Sequence, residues 1–216
     1  MNAPNITSPI TSLAGPQLPV DWTGLPSPLL VVGAAHSGKS QFALSLLSTT
    51  PKTIVIGTAD PGEPAFESRL RELKSQRPAH WQLVEVPPTD AHKLPKDLGN
   101  TFAAGAEQVL LDSINQWIAG MLVTDLGKYS MPQIEQRLDT EFYTLRETIA
   151  RPRPSRLVMV TSETGAGTVP PAPVERFFRQ STGRLNCMLA EASATVILMC
   201  AGIPVIIKST PQTGIR

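Results

Sequence analysis

Residues 29–47, LLVVGAAHSGKSQFALSLL, set a short β-branched run against a glycine-bounded turn and then a helix-patterned run. A strand, a tight turn and a helix must therefore follow one another within one short span, which restricts the chain to folds built from βα units. The turn matches GxxxxGK[ST] in full through Gly33, Gly38, Lys39 and Ser40. Backbone N–H groups in such a turn point inward and the following helix adds positive potential, so the segment reads as a phosphate cradle. Its candidate binding residues are Gly33, Ala34, Ala35, His36, Ser37, Gly38, Lys39 and Ser40. Lys39 would reach the β- and γ-phosphates of a nucleoside triphosphate, and Ser40 would hold Mg2+.

The same alternation continues downstream. TIVIGT is followed by the helix-like EPAFESRLRELKS, and further strand candidates are 81–86, 108–112, 156–161, 195–200 and 204–208. The last two are separated by Ala201, Gly202 and Ile203 alone, which predicts an antiparallel hairpin at one sheet edge. The expected fold class is α/β, of the P-loop NTPase (RecA-like) type: a mostly parallel sheet flanked by helices, with an antiparallel C-terminal edge hairpin. Helical spacing places Ile134, Leu138, Phe142, Leu145 and Ile149 on one stripe of a helix over 132–150, with Pro132 in its first turn. A second helix is expected over 173–193, carrying Val174, Phe177, Phe178, Leu185 and Leu189. Its mid-helix Gly183 costs about 1 kcal/mol relative to Ala, so close packing or a ligand is expected there.

Residues 1–28 hold six prolines among Ser, Thr and Asn without a sustained period, and read as a flexible arm. The domain is expected over 29–208, with a tail over 209–216. At 216 residues the chain is long enough for one ordinary core. Lys plus Arg total 19 against 18 Asp plus Glu, a balance that gives no footprint for nucleic acid. Arg151, Arg153 and Arg156 read as a solvated loop. Cys187 and Cys200 lie among apolar residues without CxxC spacing, which predicts reduced, buried thiols in a cytoplasmic protein. No apolar run has the length of a membrane span, and no basic-then-apolar leader opens the chain.

A phosphoryl-transfer site needs a carboxylate at the end of a neighbouring strand. QVLLDS supplies Asp112, which could hold the metal, cap the next helix, or both. VTSETGAGTVP, residues 160–170, ends a strand with a pliable glycine loop where ligands bind in open α/β folds, and makes Glu163 a second candidate. On sequence alone Glu163 could equally be an exposed loop carboxylate.

Four segments together carry a resemblance: GAAHSGKS, RPAHW at 77–81, VTSETGAGTVP, and FFRQSTGRLNCMLA at 177–190. They are similar to stretches of the bifunctional adenosylcobinamide kinase and adenosylcobinamide-phosphate guanylyltransferase family of cobalamin assembly, whose latter two segments read VTNEVGxGIVP and HFRDxxGRxNQxLA. The resemblance covers about residues 29–208. It implies a P-loop fold, ring-like homo-oligomers, and two reactions. The family phosphorylates the aminopropanol hydroxyl of adenosylcobinamide with ATP or GTP, then attaches GMP through a guanylylated histidine. It further implies nucleotide contacts at Thr58, Ala59 and Asp60, and a guanine-nucleotide place at Lys74, Ser75, Gln76, Arg77, Glu85 and Asp112. Arg184 and Asn186 could contact ligand or pack within their helix.

The resemblance departs where the family's DGRP is here SQRP and its Asn in TNE is here Ser162, and most of all at the nucleophile. Where the family reads RIQHHxDGRPAHW, this chain reads RLRELKSQRPAHW, with Glu72 at the nucleophile position and Leu73 beside it. An imidazole attacks phosphorus while neutral and yields a labile phosphoramidate, whereas a glutamate would form a mixed anhydride that water destroys. Of the three histidines, His36 stands where the family has arginine, His80 belongs to RPAHW, and His92 lies in a proline-rich loop that reads as surface. The expected function is an adenosylcobinamide kinase that uses ATP or GTP and Mg2+, with Lys39, Asp112 and Glu163 as catalytic candidates and guanylyl transfer lost. The alternatives are a non-catalytic nucleotide-binding regulatory relative, with the arm as its docking segment, or a kinase for another small hydroxyl-bearing substrate.

Overall fold

The computed structural model describes residues 21–59, 77–151 and 154–210. The first twenty residues of the arm, the span 60–76 with Asp60, Glu72, Lys74, Ser75 and Gln76, Arg153, and most of the tail lie outside the described residues. In chain order the elements are β1 (Leu29–Gly33), α1 (Lys39–Ser45), β2 (Thr53–Gly57), β3 (Gln82–Glu85), a 3-10 turn (Pro88–Lys93), α2 (Leu94–Ala103), β4 (Gln108–Asp112), α3 (Ile114–Asp125), α4 (Met131–Ala150), β5 (Arg156–Ser162), α5 (Pro173–Ala192), β6 (Thr195–Cys200) and β7 (Ile203–Ser209). The strands form one sheet in the order β3-β2-β4-β5-β1-β6-β7. Every pairing is parallel except the antiparallel β6–β7 hairpin at the edge.

Central strands buried on both faces need unbroken apolar runs, and these have them. Leu30 and Val32 of β1 face one way, into a core shared with α2, α3, α4 and α5. Leu29 and Val31 face the other way, toward Ala43, Leu46 and Leu47 in and after α1. The stripe Ile134, Leu138, Phe142, Leu145 and Ile149 on α4 is at most 1% exposed, and the Phe142 ring lies 5.9 Å from that of Trp117. Ser130 and Gln133 close a capping box at the start of α4. On α5, Leu185 and Leu189 are buried and Phe177 and Phe178 pack on the core, while Val174 is exposed.

Several expectations are overturned. Cys187 and Cys200 are free and exposed. On α5 the core-facing residues are Leu185, Asn186 and Leu189, and their helical phase turns Cys187 outward. Cys200 ends β6 at the sheet margin. Arg156 is not solvated: it donates to the carbonyls of Trp22, Thr23 and Leu25, the first two at 2.8 and 2.6 Å. Burial pulls its guanidinium below the ordinary range. Residues 21–28, assigned by sequence to a flexible arm, thereby strap the floor of the sheet. Trp22 packs edge-on against Phe42, with centroids 5.2 Å apart, and the Pro26 and Pro28 carbonyls accept from Thr195 and Ala194.

His92 is also drawn in from the surface. Its Nε2 lies 3.3 Å from the buried Asp125 and its Nδ1 3.4 Å from Glu141. Arg137 reaches the same Asp125 at 2.7 Å. Burial pushes the Glu141 carboxyl above the usual carboxylate range, against the pull of His92 and Arg137. This polar cluster ties the 3-10 turn to α3 and α4.

The α4 stripe yields a paired prediction. Phe142→Ala should lower unfolding free energy by about 3–5 kcal/mol, and Tyr143→Ala, which is 58% exposed in the native chain, by about 0.5 kcal/mol or less. Guanidinium denaturation with an unchanged m-value checks both.

Candidate phosphate-binding site

The carboxyl ends of the parallel strands converge on one rim. Gly33 pairs in register with Ser162 on one side and Met199 on the other. A Cβ at Gly33 would lie 2.5 Å from the Met199 carbonyl oxygen and 2.7 Å from Ser37 Oγ, so only glycine fits. From there residues 34–38 arch away from the sheet, with positive φ at His36 (56°) and Gly38 (85°). Ala34, Ala35, His36 and Gly38 are exposed, while Ser37, Lys39 and Ser40 are 6%, 4% and 4% exposed. Lys39 Nζ folds back under the arch and donates to the Ala34 carbonyl at 2.6 Å. Ser37 Oγ is buried without a hydrogen-bond partner. The arch thus holds an ammonium and a buried orphan hydroxyl against exposed backbone, a donor set that suits phosphate oxygens.

Asp112 ends β4, two strands from β1, and is half-buried. Thr58, after β2, is tied to it: the Thr58 N–H donates to the Asp112 carbonyl at 3.2 Å. The Thr58 hydroxyl donates to the Ser113 carbonyl at 2.6 Å and accepts from the Ser113 N–H at 2.9 Å. Thr58 is 3% exposed and spends its side chain on this clamp, with Ala59 half-buried beside it.

Glu163 follows β5, and its N–H donates to the Gly33 carbonyl at 3.0 Å, which joins the glycine loop to the base of the phosphate arch. The exposed Glu163 carboxylate accepts from the Gly165 N–H. Beneath it, Asn186 of α5 is 8% exposed, accepts from the Thr161 hydroxyl at 2.7 Å and donates to the Ser162 carbonyl at 3.0 Å. Asn186 therefore packs inside the chain. Arg184 instead reaches Glu135 at 3.3 Å and Asp139 at 2.5 Å on α4, away from the arch.

Two residues not singled out by sequence shape this loop. Arg179 donates to the carbonyls of Gly165 and Thr168, and Arg176 to those of Pro170 and Pro171. Their three-residue spacing at the start of a helix, directly after a glycine- and proline-rich loop, was the available signal. Gly183 lies on the exposed side of α5, where a Cβ would meet nothing within 4 Å, so intramolecular packing does not require it.

Glu85 stands apart. It is exposed at the end of β3, four strands from β1, or about 19 Å at ordinary strand spacing. Arg77 is half-buried just before β3. The expected residues therefore divide into an arch group, with Asp112 and Glu163 beside it, and an edge group at Arg77 and Glu85.

A parallel sheet with a GxxxxGK[ST] arch at β1 and a carboxylate two strands away defines a P-loop nucleotide-binding protein. The fold is similar to that of an ATPase from a bacterial type III secretion system, with a TM-score of 0.52 at 11% identity over 82% of this chain and 53% of that one. It is also similar to a Pyrococcus horikoshii protein, with a TM-score of 0.50 at 8% identity over 87% and 89% of the two chains. Residues 29–207 match the family described as cobinamide kinase / cobinamide phosphate guanyltransferase, and the chain belongs to that family. It is 31% identical to the bifunctional adenosylcobalamin biosynthesis protein CobP of Pseudomonas aeruginosa, over 84% of this chain and 98% of the relative. It is 32% identical to the corresponding protein CobU of Salmonella typhimurium, over 83% and 99%.

Gly33→Ala should force the arch away from Met199, costing about 1–3 kcal/mol of stability and weakening nucleotide binding at least about tenfold. Denaturation and calorimetric titration with ATP read the two effects separately.

Proposed function

We propose that this chain is an adenosylcobinamide kinase that has lost the guanylyl-transfer half of its family's chemistry. The carrying observation is the intact arch with Lys39 buried beneath it, set against Glu72 where the family motif has its histidine. ATP or GTP is the phosphoryl donor, and the aminopropanol hydroxyl of adenosylcobinamide is the acceptor.

Phosphoryl transfer asks a protein mainly for positioning and charge stabilisation. Lys39 exchanges the Ala34 carbonyl for β- and γ-phosphate oxygens, and backbone N–H groups of residues 34–38 bind the remaining oxygens. One hydroxyl and one carboxylate, Ser40 and Asp112, fit Mg2+, which takes few protein ligands and completes its shell with phosphate and water. Among the described residues no cluster of three or more His, Cys, Asp or Glu offers an all-protein metal cage. When bound, the ion neutralises charge developing on the phosphates. The clamp from Thr58 keeps Asp112 at the strand end, and Asn186 keeps the start of the glycine loop in place. Glu163 gives up its bond to Gly165 and accepts one from the attacking hydroxyl, orienting it.

Parallel incubations with α- and γ-labelled GTP, with and without adenosylcobinamide, test this reading. Label should pass from the γ-position to the corrinoid and none from the α-position to protein. Lys39→Ala should reduce turnover by at least about 10²-fold. An α-labelled protein adduct would contradict the loss of guanylyl transfer, and absence of γ-transfer with tight GTP binding would contradict the kinase.

A further inference from the structure

We infer that the groove between the N-terminal halves of α4 and α5 seats the phosphoryl acceptor, holding one amide-bearing edge of the macrocycle while its hydroxyl reaches Glu163. The inference rests on the kinase reading for Glu163 as the group that meets that hydroxyl. Asn186 sets the level of α5, because it bonds Thr161 and Ser162 at the carboxyl end of β5. The helix connects two strands that both run parallel to β1, so it runs back against them. Its N-terminal part, from Pro173 to Asn186, is about 20 Å long at helical rise and therefore stands beyond the rim of the sheet. The bonds from Arg184 to Glu135 and Asp139 bring the start of α4 alongside it. Between the two lies a groove of about 480 Å³, whose walls include Glu135, Gly165, Phe177, Gln180, Gly183 and Arg184. Gly165 joins it to the reaction site, since a Cβ there would lie 2.7 Å from Glu163 Oε1.

Phe177, Gln180 and Arg184 recur at helical spacing, and Gly183 leaves the same face of α5 bare. A mid-helix glycine weakens a helix relative to alanine. Here a Cβ would meet nothing within 4 Å, so no contact among the described residues gains from the missing side chain, whereas a ligand laid against the helix does. The charges of the walls say what kind of ligand. Arg184 is neutralised by Glu135 and Asp139, and Arg179, also in the wall, gives its terminal nitrogens to the Gly165 and Thr168 carbonyls. Neither arginine is left free for a polyphosphate. What the walls offer is the half-buried Phe177 ring, the exposed Gln180 amide and the outer atoms of an ion pair. That mixture suits a bulky ligand with an apolar face and a rim of amides. The volume takes one edge of such a macrocycle and leaves the rest in solvent.

The test uses the full chain, with adenosylcobinamide as the probe for the groove and GTP as the probe for the arch. Gly183→Phe fills the groove and should raise KM for adenosylcobinamide at least about tenfold, with GTP affinity unchanged by calorimetric titration. Because phenylalanine is a better helix former than glycine, this variant should melt no lower than the native chain, which separates a lost ligand contact from a lost fold. Gln180→Ala removes one neutral hydrogen-bonding partner and should raise the same KM by about three- to tenfold. Direct titration of adenosylcobinamide into each protein, with a non-hydrolysable GTP analogue bound, should show matching losses of affinity. Active native chain with KM and affinity unchanged in both variants overturns the inference and leaves the kinase reading standing. Absence of γ-transfer by the native chain sinks both. Sedimentation that shows a native assembly falling apart in Gly183→Phe assigns the groove to a second copy of the chain and likewise overturns the proposal.

Discussion

At the carboxyl end of β1 there is no room for a side chain. The strand is hydrogen-bonded on both sides, to β5 and to β6, and the Met199 carbonyl would stand 2.5 Å from any Cβ placed on Gly33. The Glu163 N–H takes the Gly33 carbonyl from the other side. The chain can leave the sheet only as bare backbone, and it leaves as an arch closed by Gly38 at positive φ. The placing of Lys39 and Ser40 at the start of α1 follows from that exit. So does the contact between the arch and the hairpin tip, because the strand that crowds Gly33 also leads into the hairpin turn.

The sheet order then assigns work to each side of this exit. On one side β5 and β4 bring Glu163 and Asp112 to the rim, each held by a neighbour: Asn186 beneath the end of β5, Thr58 beside the end of β4. On the other side, among the described residues, the sheet continues into β6 and β7 with their exposed turn. Arg176 and Arg179 stiffen the glycine loop by bonding its carbonyls, so the span carrying Glu163 is supported from α5 along its length.

Much of this was legible because parallel strands and phosphate arches have short, local signatures. The strands 108–112 and 195–200 coincide with β4 and β6, and the α4 stripe is buried residue by residue. Two helices, α2 and α3, carried no such signature. α3 is buried on most sides, with Ile114, Trp117, Ile118, Met121 and Leu122 inside, so its apolar residues show no stripe; α2 holds Pro95 and Gly99, both breakers by local propensity. Long-range partners were hidden for a different reason. The capture of Arg156 by the Trp22, Thr23 and Leu25 carbonyls joins residues more than 130 positions apart, and nothing local foretells it. His92 looked like surface because its proline-rich context says loop, while Asp125 and Glu141 reach it from helices far along the chain. At the site, residue types were readable and distances were not: Glu85 and Asp112 were grouped by resemblance, and the sheet order sets them two strands apart.

A crystal structure of the full chain with Mg2+ and a non-hydrolysable GTP analogue would decide whether the arch holds the phosphoryl donor. The β- and γ-phosphates should lie under residues 33–40 with Lys39 on them, and the ion between Ser40 and Asp112. A triphosphate bound outside the arch, or with its metal end turned toward β6, would contradict it.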